Sequence, residues 1–152
     1  MTRFIADAMF GTLAKWLRVL GFDTLYAKEM EDGYIVALAQ EEGRVLITRD
    51  KMLAQKTEYS FYLDSHDLDE QLKLVLEKFP VNKDILLTRC LLCNTLLIPV
   101  GKSEVQDIPQ GVLERENKFW RCEKCDKYYW PATHYENMVD RVGELIERES
   151  NI

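Results

Sequence analysis

The chain has 152 residues, 47% hydrophobic and 30% charged, with a formal net charge of −6. Its length suits one ordinary core, or a compact domain of about 90 residues with a small appendage that needs its own support. No run approaches the roughly 18 apolar residues of a membrane helix, and Asp7 interrupts the only early apolar run, so neither a membrane span nor a secretory signal is expected and the protein is placed in the cytoplasm.

Arg3 to Asp23 opens with a short apolar strand that delivers Asp7 to the mouth of an amphipathic helix. Phe10, Leu13, Ala14, Leu17 and Leu20 recur there at helical spacing, with Thr12, Lys15 and Arg18 opposite. Gly21 caps the end. A short strand, Thr24 to Tyr26, leads through a polar link to Glu31-Asp32-Gly33. Ile35, Leu38 and Ala39 mark a second helix, stopped by Gly43. Val45 to Thr48 is apolar and β-branched, as suits a strand buried on both faces, and it delivers Asp50. A short helical piece from Lys51 to Lys56 and a strand from Ser60 to Leu63 follow. Asp67 and Glu70 then open a helix whose buried side is Leu68, Leu72, Val75, Leu76 and Phe79, ended by Pro80. Such alternation implies βαβ units and a parallel sheet with helices on both faces.

From Val81 the character changes. Residues 81–89 read as a linker, followed by two cysteine pairs, short strands at Thr95 to Pro99 and Lys118 to Trp120, and a Gly/Pro-containing loop from Gly101 to Gly111. A last helix opens with Thr133 and Glu136 and carries Met138, Val142, Leu145 and Ile146 on one face. Two domains are expected, at residues 1–84 and 85–152.

Asp7 and Asp50 both follow apolar strands and Asp32 begins a helix, so the three can converge at the carboxyl edge of the sheet, where open α/β folds place their chemistry. Convergent carboxylates need an offsetting charge, and hard oxygen ligands suit Mg²⁺ or Mn²⁺. A metal so held acidifies a bound water and stabilises charge on a phosphate. The alternative for each residue alone is a helix cap or a turn.

Cys90/Cys93 and Cys122/Cys125 form two C-x-x-C knuckles. Together they make a closed tetrahedral thiolate site for a structural Zn²⁺; a redox pair is the alternative. Arg89, Arg121, Lys124 and Lys127 flank the knuckles and can offset thiolate charge. Phe119, Trp120, Tyr128, Tyr129 and Trp130 crowd the same module, either as its core or as platforms for unpaired bases. Lys15 and Arg18, one helical turn apart, either meet phosphates near Asp7 or form a solvated face. His66 and His134 stand beside capping positions and read as structural. The acidic total disfavours RNA but does not exclude it, because residues 1–57 carry eight acids and eight bases and metal would turn that surface basic.

Four stretches carry a family resemblance: DAMFGTLAKWLRVLGFD from Asp7 to Asp23, EEGRVLITRD from Glu41 to Asp50, RCLLCN from Arg89 to Asn94, and FWRCEKC with YYW from Phe119 to Trp130. In this order they closely resemble the Mut7-C ribonuclease family, a PIN-like nuclease domain fused to a C-terminal zinc ribbon. The resemblance implies a three-layer α/β/α PIN-like domain with a parallel sheet, and a metal-dependent endoribonuclease activity. It implies Asp7 as first acid, Asp50 as the acid of the T-R-D motif, and Asp32, or its neighbour Glu31, as the middle acid. It also leaves KMLAQK after Asp50 without the further acid PIN-like sites often hold, and places Arg49 and Lys51 beside the scissile strand. The competing function is a non-catalytic RNA- or ribosome-binding module that works through the ribbon.

Overall fold

The computed structural model describes residues 1–131 and 133–150; the side chains of residue 83, of residues 133–135 and of residues 145–150 lie outside that description, and with them the readings made for Thr133, His134, Leu145 and Ile146. Four strands form a parallel sheet in the order β2-β1-β3-β4: β1 (Arg3–Asp7), β2 (Asp23–Ala27), β3 (Val45–Thr48) and β4 (Ser60–Tyr62). Connecting them are α1 (Gly11–Val19), α2 (Asp32–Glu42) and α3 (Lys51–Ala54), and α4 (Leu68–Lys78) follows β4. The chain moves from β1 outward to β2, then crosses back over β1 to β3. The topological switch point therefore lies between β1 and β3.

Side-chain alternation divides the sheet into two packed layers. Phe4, Ala6 and Ile47 face Leu13, Leu17, Leu72, Val75 and Leu76 of α1 and α4, whereas Ile5 and Leu46 face Ile35, Ala39 and Leu53 of α2 and α3. Phe4 anchors the larger layer, with Phe22 and Phe79 each set edge-on at 5.2 Å between ring centroids. The result is the expected three-layer α/β/α arrangement.

Helix ends follow from local chemistry. Gly21, at φ +92°, closes α1 in a Schellman turn: its N–H donates to Arg18 O at 3.0 Å, and the Phe22 N–H donates to Leu17 O at 2.9 Å. Gly43, also left-handed, ends α2. Asp67 caps α4 by accepting from the Glu70 N–H at 3.3 Å.

The second part of the chain carries an antiparallel sheet in the order β5-β6-β7, from β5 (Ile98–Val100), β6 (Phe119–Cys122) and β7 (Lys127–Tyr129). Two elements here were not expected from the sequence. Helix α5 (Gln110–Arg115) begins at the end of the segment read as a loop, and β7 completes a hairpin around the second knuckle. The last helix, α6 (Thr133–Ser150), returns to the first sheet's layer: Met138 and Val142 join the core beneath α1 and α4, Arg141 pairs with Asp69, and its guanidinium lies 5.4 Å from the Trp16 ring centroid. Among the described residues no helix is long and apolar enough to cross a membrane.

Candidate nuclease site and metal centre

Asp7 at the end of β1 and Asp50 just after β3, the two central strands, stand at the carboxyl edge of the parallel sheet, on either side of the switch point. Asp7 ends β1, is 9% exposed, and is held at both oxygens: Oδ1 accepts from the Ala8 N–H and Oδ2 from the Thr48 hydroxyl, each at 2.8 Å. Thr48 ends β3 and is fully buried, so its hydroxyl needs a partner. The same hydroxyl oxygen accepts from the Asp50 N–H at 3.0 Å. One threonine thus ties the ends of the two central strands together and sets the positions of both aspartates.

Asp50 is exposed and caps α3, its Oδ1 accepting from the Met52 and Leu53 N–H groups at 2.9 and 3.2 Å. Among the described residues its Oδ2 takes no hydrogen bond. Asp32 is the first residue of α2 and Glu31 its N-cap position; both are exposed, and neither side chain caps the helix. The turn after Asp7 is braced from β2, where the Tyr26 hydroxyl donates to Ala8 O at 2.6 Å. Gly11 leaves room for that ring, since a Cβ there would lie 2.9 Å from the tyrosine oxygen.

Of the basic residues expected to meet RNA, Arg49 and Lys51 flank Asp50 at this edge, Lys15 lies further along α1, and Arg18 is buried. Lys15 is exposed on α1, Lys51 is exposed with its ammonium 5.6 Å from the Tyr62 ring centroid, and Arg49 donates to Ser65 O at 2.9 Å while lying 5.1 Å from the Phe10 ring centroid. Arg18 differs from expectation. It is 7% exposed, donating from Nε to Thr24 O at 2.9 Å and from Nη1 to Leu91 O at 2.7 Å. The first knuckle covers this one position of the face that the spacing marked as polar, so Arg18 joins α1 to the cysteine module and is withheld from phosphate, while Thr12 and Lys15 stay exposed.

The four cysteine Sγ atoms all lie within 4.8 Å of one another, the one such group of metal-ligating side chains among the described residues; the carboxylates of Asp7, Asp32 and Asp50 are not drawn together in that way. Both knuckles are built alike. In each, the residue after the second cysteine is left-handed, Asn94 at φ +73° and Asp126 at φ +54°, and its N–H donates back to the first cysteine's carbonyl, at 2.9 and 2.8 Å. Asn and Asp tolerate that conformation better than other non-glycine residues. An arginine braces each turn: Arg89 donates to Asn94 O at 2.9 Å, and Arg121 to Asp126 Oδ1 at 2.7 Å.

Four thiols at this spacing suit tetrahedral Zn²⁺, and a bound cation would relieve the crowding of charge. Burial opposes ionisation of Cys93, yet hydrogen bonding with Thr95, Cys122 and Cys125 holds its thiol down at about 6. The hydrogen bond with Cys93, together with burial, pushes Cys125 up to about 12. Burial and the Cys90 sulfur, 3.0 Å away, raise the Tyr129 phenol. None of the five aromatics of this module is fully exposed, and Phe119 is buried with its ring centroid 6.3 Å from that of Trp130.

The module docks on the sheet through Asn94. Its Oδ1 accepts from the Thr24 N–H at 2.9 Å and its Nδ2 donates to Asp23 Oδ1 at 2.6 Å. Arg44, buried at the opposite edge from the acids, donates to the same carboxylate at 2.9 Å and to Phe4 O at 3.1 Å. Asn94, Arg44 and Thr48 all do structural work that sequence reading passed over. Only Thr48 carried a visible sign, as a hydroxyl closing a strand otherwise apolar throughout.

A doubly wound parallel sheet with acids at its switch point, joined to a four-thiol module, defines a PIN-like α/β fold with a cysteine cluster compatible with zinc. The family model of the Mut7-C RNAse domain matches residues 2–142, and the chain belongs to that family. Its function is accordingly of the ribonuclease type. No curated protein and no solved structure matches the chain.

Proposed function

We propose that the chain is a Mg²⁺- or Mn²⁺-dependent endoribonuclease, with Asp7, Asp32 and Asp50 as the catalytic carboxylates and single-stranded RNA as substrate. The observation that carries this reading is the Thr48 hydroxyl, bonded to both Asp7 and the Asp50 backbone across the switch point. The donor set fits a hard divalent cation. A carboxylate oxygen has two lone-pair directions, so Asp7 retains one on each oxygen and Asp50 retains the whole of Oδ2. Asp32 adds an exposed carboxylate from the start of α2. A cation held by Asp7, Asp32 and Asp50 would supply an acidified water and charge for the phosphate, and hydrolysis by in-line attack would leave 5′-phosphate and 3′-hydroxyl ends.

The chain's own residues do the positioning. Thr48 and the Ala8 N–H keep Asp7 from rotating, and capping of α3 fixes Asp50. Lys15 and Lys51 contribute charge toward the phosphates, with Arg49 between the strand end and Asp50. The PIN-like part spans residues 1–84 and the ribbon with the C-terminal helix 85–152; the ribbon is folded around one structural Zn²⁺ in the reducing cytoplasm, and α6 packs back on the PIN-like core. The test is cleavage of a mixed RNA pool in Mg²⁺ or Mn²⁺, in which Asp50→Asn should remove the activity; equal cleavage by both proteins contradicts the reading.

A second reading, a non-catalytic RNA- or ribosome-binding module, draws on the exposed Leu92, Leu96 and Ile98 of the ribbon. It is distinguished by RNA binding that survives substitution of the acids but is lost when the cysteines become serine.

A further inference from the structure

Beside the acids, on the α1 and α4 side of the same sheet edge, the molecule has a cavity of about 270 Å³. Phe10 and Leu13, both buried, help to line it, and Met9, Thr12 and His66 are exposed there. Met9 and Phe10 come just after Asp7 in the chain, and Arg49 stands between Thr48 and Asp50, so the cavity adjoins the proposed reaction centre.

Its polar lining has spare hydrogen-bonding capacity. Arg49 Nη2 is committed to Ser65 O and Nε is buried out of a ligand's reach, which leaves Nη1 as a donor. Gln71 is buried and donates from Nε2 to the same Ser65 carbonyl at 2.9 Å, which leaves its Oε1 as an acceptor. The Phe10 ring props the Arg49 guanidinium from one side.

We infer that this cavity receives one unstacked nucleobase of the RNA strand, next to the scissile phosphate. Size, chemistry and place agree. The volume falls just below the range of about 300–1,000 Å³ that encloses drug-sized ligands, which suits one planar ring system. A mainly polar lining that offers both a donor and an acceptor matches the edge of a base, which carries both kinds of group. Single-stranded RNA is recognised in this way, with a base turned out of its stack and bonded along its edge. A phosphate would instead meet the Gln71 acceptor.

The inference rests on the ribonuclease reading, and the test separates the two. Wild-type protein in Mn²⁺ is given short single-stranded RNAs with one cleavage site, in which an abasic nucleotide replaces each position in turn. One position within two nucleotides of the cut should raise KM by about tenfold or more, the scale of one lost base contact, and the others should change it little. Thr12→Trp, which places an indole at the mouth from an exposed helix position, should raise KM for the intact RNA comparably and abolish the abasic effect, with the melting temperature unchanged. Cleavage with a flat abasic profile overturns the pocket and leaves the nuclease standing. Absence of cleavage from every RNA overturns both.

Discussion

The Thr48 hydroxyl donates to Asp7 Oδ2 at 2.8 Å and joins the carboxyl ends of β1 and β3. Both partners are buried, so this bond holds a carboxylate in place where little water can reach it. Thr48→Val keeps the shape and deletes the hydroxyl. It should lower stability by about 1–3 kcal/mol, the cost of a buried acceptor left without its donor, and it should lower RNA cleavage. Thr48→Ser should recover both. Urea denaturation and cleavage rates measured on the three proteins check this.

Gly21 and Gly33 should respond oppositely to alanine. At Gly21 the backbone is left-handed and an added Cβ would collide with the Ile85 carbonyl, so Gly21→Ala should destabilise by about 2 kcal/mol or more. Gly33 lies in the first turn of α2 with open space around it. Gly33→Ala should be neutral or stabilise by up to about 1 kcal/mol, the gain of helix propensity. Thermal melting of the two variants decides the point.

Asp23 links stability to pH. Burial pushes its carboxyl up, but hydrogen bonds from Arg44 and Asn94 and the charges of Arg44 and Arg89 outweigh burial and hold it below the ordinary value. A carboxyl depressed in the folded state contributes stability above its unfolded pKa, near 4, and loses it as pH falls through the folded value. Wild type should therefore lose stability below about pH 4 more steeply than Asp23→Asn. Denaturant midpoints measured across that range test the sign.

The cysteine cluster should hold one zinc ion per chain, and its removal should be felt beyond the ribbon. Asn94 follows Cys93 directly and bonds to both Asp23 and the Thr24 N–H, so the geometry of the first knuckle governs the docking on β2. Structural zinc contributes on the order of 10–16 kcal/mol in small domains. Cys122→Ser should lose the metal in elemental analysis, and amide exchange should rise at Thr24 as well as in β6.

Much of the parallel domain was legible because its signals are local. The apolar run of β3 matched its observed bounds, the Gly21 and Gly43 caps fell where left-handed residues were needed, and Asp67 capped α4. Arg18 was misread for a physical reason. Its position on the helix is polar by spacing, but its cover is the carbonyl of Leu91, 73 residues away, and no periodicity reports so distant a partner. Helix α5 was hidden because Pro109 stands just before its first turn and Gly111 inside it, so its start read as the end of a Gly/Pro-containing loop. For the acids, spacing and strand ends indicated the sheet edge. They could not reveal that Asp50 caps a helix with one oxygen while leaving the other without a partner.

As a proposed ligand of the cation, Asp7 should be the residue whose loss RNA cleavage feels most. The most direct test compares wild type with Asp7→Asn on single-stranded RNA across a Mn²⁺ titration, with end-group mapping of the products. Substitution of groups behind a metal ligand costs about 10–100-fold, so loss of the ligand itself should lower cleavage by at least about a hundredfold, with residual activity shifted to higher Mn²⁺ and wild-type products bearing 5′-phosphates. Cleavage by Asp7→Asn at the wild-type rate and the same Mn²⁺ dependence would contradict the account.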